Sequence, residues 1–171
     1  MRDLDATRRE FLWSLFAAAA GVLWSGVATA AALKAGERPK RVTLSDLTGA
    51  PVVLPDAYAG KVLAIHFWAS WCAPCSREID ALESLFGEYR ARGMAPVSVN
   101  VGETPGVVAD ALRNRTVSYP ILLDTDSTTA RLYGVVGLPT TFVLDRKGVT
   151  AVKVLGEIDR DGLRRVFSGL L

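Results

Sequence analysis

Phe67 to Glu78 reads FWASWCAPCSRE and holds both cysteines of a 171-residue chain, Cys72 and Cys75, separated only by Ala73 and Pro74. Three chemistries use cysteines this close: a structural bridge, half of a metal site, or a redox pair. A bridge that closes so short a loop removes almost no entropy from the unfolded chain. A domain of about 100–150 residues also buries an adequate core without one. Zinc takes four ligands, and beyond the two thiols this chain offers a single histidine, His66. Copper manages with fewer, so a cuprous site on Cys72, Cys75 and His66 stays open as the alternative to a redox pair.

The flanking sequence places the pair. Lys61 to Ser70, KVLAIHFWAS, is a near-continuous apolar run with β-branched and aromatic bias, the pattern of a strand buried on both faces. After it, Ile79, Leu82, Phe86 and Tyr89 recur at helical spacing, and Arg90, Arg92 and Gly93 close the last turn. Cys72 therefore falls at a helix start, where unpaired backbone N–H groups and the helix dipole favour a thiolate. Cys72 is the expected nucleophile and Cys75 the residue that resolves its mixed disulfide. Pro74 suits a first helical turn, which has no use for its missing N–H. Neither Ala73 nor Pro74 adds a charge. That predicts a potential nearer the reducing end of the range, which runs from about −270 mV for thioredoxin to about −120 mV for a strong oxidant.

Around this centre, VTLSDLTGAPVVLPDAYAGK gives two short strands about the Thr48–Pro51 turn, and APVSVNVG gives another strand. Pro105 opens a helix in PGVVADALRNRTV, YPILLDTD is a core strand, and STTARLYG a short helix. A hairpin about Arg146-Lys147-Gly148 and a closing helix capped by Asp159 complete the chain. Strands alternating with helices imply one α/β domain, a mixed sheet covered on both faces, over residues 42–171. Residues 31–41 read as a polar linker. Residues 1–30 carry Arg8 and Arg9 ahead of an uncharged stretch ending in Ala28-Thr29-Ala30, the pattern of a twin-arginine-like signal peptide or, if retained, a membrane anchor. Either places the domain in the bacterial periplasm or on the outer face of the inner membrane, where a disulfide can persist. With 20 Lys+Arg against 18 Asp+Glu, a net charge of +2 leaves no nucleic-acid footprint.

FWASWCAPC together with Gly137–Phe142, GLPTTF, resembles the thioredoxin superfamily. Within it, SVNVGE, PILLDTD and the stretch from Thr104 to Asp124 are similar to the exported TlpA/ResA-type thioredoxins associated with cytochrome c maturation. The likeness spans about residues 42–168. It implies a thioredoxin-like mixed β-sheet flanked by helices, with an N-terminal β-hairpin and a central helix-strand insertion. It implies that Pro139 is cis and faces the cysteines, with Leu138 presenting backbone to a substrate peptide. It also implies a docking shoulder of Trp68, Trp71 and Leu138. Glu103 is the expected proton carrier, a carboxylate of raised pKa that takes the Cys75 proton. The implied substrates are disulfides of exported proteins, such as the C-x-x-C-H haem site of apocytochrome c. The implied electron source is a membrane thiol transporter, with no cofactor beyond the Cys72–Cys75 disulfide and no metal. His66 departs from the family, standing where ordinary thioredoxins bury an Asp; it is either a base itself or a neutral, hydrogen-bonded core residue. A disulfide oxidant or isomerase and a copper-handling protein remain the alternatives. A peroxidase of this fold would want a threonine where Ala69 stands.

Overall fold

All seven side chains of Val62–Trp68 are buried, so this strand has no face to give to water. It can only lie mid-sheet with a layer on each side. The computed structural model describes residues 33–171, and in it the elements run β1 (Val42–Asp46), β2 (Pro51–Leu54), β3 (Val62–Trp68), α1 (Ala73–Tyr89), β4 (Met94–Val101) and α2 (Pro105–Leu112). They continue with β5 (Ile121–Asp124), α3 (Thr128–Leu132), β6 (Thr140–Leu144), β7 (Thr150–Leu155) and α4 (Arg160–Leu170). The seven-stranded sheet has the order β2-β1-β5-β4-β3-β6-β7. β3 pairs in parallel with β4 and antiparallel with β6, which sets His66 between Ser98 and Thr141. This is the thioredoxin-like mixed sheet with an N-terminal hairpin, β1–β2, and an inserted helix and strand, α2 and β5.

The two faces of β3 feed two cores. Val62, Ala64 and Trp68 join Cys75, Ile79, Leu82 and Leu85 of α1 and Leu163 and Phe167 of α4. Leu63, Ile65 and Phe67 point the other way, toward Leu44, Leu54, Tyr133 and Phe142. There Phe67, Tyr133 and Phe142 form an edge-on triad with ring centroids 5.7 to 6.0 Å apart. The buried stripe of α1 differs from the expected one: Leu85 completes it, while Phe86 and Tyr89 lie at its partly exposed margin. Steps of three and of four both stay on one helix side, and the sheet selects the residue nearer its plane. Asp159 caps α4 as expected, accepting from Gly162 N at 2.7 Å. Residues 113–120, between α2 and β5, are tied to α1 by side chains. Arg115 Nη1 donates to Asp80 Oδ1 at 2.6 Å and to the Ser76 carbonyl at 3.2 Å, and Ser118 N donates to Glu83 at 2.8 Å.

Within the segment expected as a polar linker, residues 33–40 form a strap. Leu33 is buried in the second core, Gly36 N donates to Thr150 O at 2.8 Å, and Thr150 N donates to Glu37 O at 2.9 Å. The Tyr133 hydroxyl donates to Lys40 O at 2.7 Å. The expected signal or anchor, residues 1–30, lies outside the described residues. Tyr133→Phe keeps the aromatic triad and removes only that hydrogen bond to the strap. We expect it to lower unfolding free energy by about 1 kcal/mol in urea titration, and an unchanged midpoint would show that the strap adds nothing to stability.

Candidate active site

β3 ends at Trp68, the chain turns through Ala69, Ser70 and Trp71, and Cys72 becomes the N-cap of α1. The Cys72 sulfur accepts from Cys75 N at 3.3 Å, so a first-turn N–H of the helix already points at it. Cys72 and Cys75 are bonded to each other, S–S 2.03 Å. Cys75 is wholly enclosed and Cys72 nearly so, which leaves Cys72 as the sulfur an incoming thiol meets first. Pro74 lies in the first helical turn, where it displaces no hydrogen bond. Leu138–Pro139 is cis, and Leu138 packs against the core cluster that contains both cysteines.

Of the two tryptophans proposed for the docking shoulder, Trp71 is 75 % exposed, but Trp68 is 1 % exposed and belongs to the core. The strand alternation of β3 turns Trp68 inward; Trp71 lies past the strand end and escapes it. Two exposed apolar residues missed in the sequence flank the Leu138–Pro139 bond instead. Val136 is 82 % exposed just before Gly137, and Leu155, 60 % exposed, stands across from Thr140 beside Pro139.

Glu103 reaches the site but with a different character from the one expected. Its carboxylate accepts from Ser70 N at 2.8 Å, from the Ser70 hydroxyl and from Asn100 Nδ2 at 2.6 Å. Burial raises its pKa, the Asn100 and Ser70 donors lower it, and the donors win. The carboxyl is therefore held below its ordinary value, not above it. Glu103 is a fixed anion that clamps the turn leading into Cys72.

His66 is fully buried, and burial alone pulls its pKa down to about 3, so the ring is neutral. Its partner is a hydroxyl: Nδ1 lies 3.1 Å from Ser98 Oγ. The direction of that bond follows from the far end of a chain. The Ile79 carbonyl can only accept, so Tyr119 donates to it at 3.4 Å. Ser98 then donates to Tyr119 at 3.2 Å and must accept from His66, which assigns the proton to Nδ1. His66 is thus the neutral, hydrogen-bonded core residue of the two roles considered. No group of three or more His, Cys, Asp or Glu side chains able to hold a metal occurs among the described residues.

The residue absent from the sequence reading is Glu78. It lies one helical turn past Cys75 on the buried stripe of α1, is 1 % exposed, and binds the Thr141 hydroxyl through Oε1. Ile158 N approaches Oε2 at 3.4 Å. Burial pushes its pKa up to about 7, against the opposing pull of the Thr141 hydrogen bond. The signal was present: an acid between Cys75 and the core residues Ile79 and Leu82, spaced as a member of their stripe.

A bonded cysteine pair at a helix start, beside an enclosed acid that titrates near neutrality, exchanges disulfides; the chain is a thiol–disulfide oxidoreductase. The AhpC/TSA family pattern matches residues 32–153, and the chain belongs to that family. It is 32 % identical to thiol-disulfide oxidoreductase ResA of Geobacillus thermodenitrificans over 134 residues, 78 % of this chain and 76 % of that one. With ResA of Bacillus subtilis it shares 32 % over 121 residues, 71 % of this chain and 67 % of the other. Among solved structures it superposes on a candidate thiol:disulfide interchange protein DsbE from Chlorobium tepidum with a TM-score of 0.75 and 30 % identity, covering 82 % of this chain and 100 % of that one. StoA of Bacillus subtilis gives a TM-score of 0.63 at 25 % identity, over 74 % of this chain and 96 % of its own.

The two buried titrating groups act on stability with opposite signs. Glu78, raised from 4.5 to about 7, keeps a proton that the unfolded chain has lost, so stability falls as pH rises through that window. His66, lowered from 6.5 to about 3, refuses a proton the unfolded chain accepts, so its share of stability falls as pH drops below about 6.5. In the oxidised protein, Glu78→Gln should therefore gain about 3 kcal/mol on the parent between pH 4 and pH 8. Urea denaturation at both values measures it, and a difference independent of pH would place the Glu78 titration elsewhere.

Proposed function

We propose that this oxidoreductase is a reductant of disulfides in exported bacterial proteins, with the C-x-x-C-H haem-site disulfide of apocytochrome c as the substrate class. The observation that carries the direction is the weak support given to the Cys72 thiolate. Ala73 and Pro74 supply no donor side chain, and the cation nearest along α1, Arg77, is committed to Glu157 at 2.5 and 2.7 Å. A thiolate with little stabilisation makes the dithiol the higher-energy form, which is a reducing potential.

In the forward reaction the Cys72 thiolate attacks one sulfur of the partner's disulfide. A Cys72–partner bond forms, and the other partner sulfur leaves as a thiolate and takes up a proton. Glu78 as carboxylate accepts the Cys75 proton, and the Cys75 sulfur attacks Cys72. The second partner sulfur departs and receives a proton, so two electrons and two protons have passed to the partner. Glu103 holds the Ser70 turn that aims Cys72, and His66 stays neutral beneath it. Trp71, Leu138 and Pro139 form the surface on which the partner lies, and Pro74 fixes the first turn of α1. Return to the dithiol draws on a membrane thiol transporter. The Arg8-Arg9 leader supports the assignment to the periplasm or the outer face of the inner membrane.

The deciding experiment is the equilibrium potential of Cys72–Cys75 in glutathione and dithiothreitol buffers. A value near about −270 mV or below is expected, and one near about −120 mV would make the protein an oxidant or isomerase. Cys75→Ser should accumulate mixed disulfides through Cys72, readable by mass spectrometry of the trapped adducts. Adducts that instead form on Cys72→Ser, through Cys75, would exclude Cys72 as the nucleophile.

A further inference from the structure

Thr141 is a feature of the cysteine layer for which neither packing nor the exchange steps account. It is fully buried in β6 and followed by the apolar, equally buried Phe142, Val143 and Leu144. Valine would fill the same space without enclosing a hydroxyl, and enclosing one is costly unless it is bonded. The bond that justifies it runs to Glu78 Oε1. Thr141 also lies two residues past the cis Leu138–Pro139 bond, so a single hydroxyl joins the partner-facing strand to the acid one turn from Cys75.

We propose that Thr141 is a positioning residue for disulfide exchange: its hydroxyl fixes the Glu78 carboxyl against β6, in the orientation in which Glu78 exchanges a proton with Cys75. The proposal rests on Glu78 as the proton acceptor. A hydroxyl can donate to the carboxylate and accept from the carboxylic acid, so it serves both states of the cycle, which no aliphatic side chain can. The other groups around Glu78 are few. Glu157, in the β7–α4 connection, opposes its charge and is itself paired with Arg77 on α1. Ile158 N offers a long contact from the same connection. On β3, His66 is the register partner of Thr141 and is neutral, and Tyr119 of the insertion is a phenol whose pKa burial raises. Thr141 is thus the principal group that holds the ionised form.

The test combines a direct titration with a rate profile. The Glu78 carboxyl is followed by carbon NMR in the oxidised protein, and reduction of a protein disulfide by the dithiol form is timed across the same pH range. Thr141→Val should move the Glu78 titration to higher pH and slow exchange about tenfold below the midpoint, the loss expected for one hydrogen bond to a charged group. Thr141→Ser should restore both. Glu78→Gln should remove that limb of the rate profile altogether. If Thr141→Val titrates like the parent while Glu78→Gln still alters the profile, the positioning role is wrong and the acid's role stands. If Glu78→Gln leaves the profile unchanged, the acid's role fails and the positioning role with it.

Discussion

A strand with no polar face dictates most of what surrounds it. Because every side chain of β3 is buried, both of its edges must be paired and both of its faces covered, and the helices on one face and the aromatic triad on the other meet that demand. The same constraint delivers the chemistry. The chain leaving the C-terminal end of β3 has to cross to the helical layer at once, and Cys72 falls where that crossing becomes a helix. Its sulfur meets free N–H groups there as a consequence of topology, before any side chain is placed to help it.

The interior beneath the cysteines is an apolar layer with a few polar exceptions, each answered in its own way. Glu103 gains its donors from Ser70 and Asn100 and remains charged. His66 finds one hydroxyl and stays neutral. Glu78 finds a single strong partner and sits between the two, able to take or release a proton near neutral pH. Three ionisable side chains close to one disulfide thus divide into a permanent anion, a permanent neutral ring and one group free to change. Depth of burial and the hydrogen-bond donors around each separate them.

Much of this was legible in the sequence. A near-continuous apolar run with β-branched and aromatic bias reads as a central strand, and the helical spacing after it put the cysteine pair at a helix start. The details that escaped depend on which way a residue faces or on how many donors it meets. Trp68 and Trp71 are the same residue type three positions apart, and only the end of the strand separates core from surface. Glu103 was found by its motif, but the sign of its pKa shift needed Ser70 and Asn100, which converge from another turn and another strand. Glu78 looked like an ordinary helix acid because its residue type usually faces water. Its burial is decided by Thr141 and the β7–α4 connection, both remote in sequence.

The strap carries a consequence for the order of assembly. Gly36 and Glu37 bond to Thr150, and Leu33 packs where Tyr133 and its neighbours have already gathered. Thr150 belongs to β7, so the Gly36 and Glu37 bonds have no partner until that strand has been made. The end of the folded domain that is made first is thus held in part by one of its last strands.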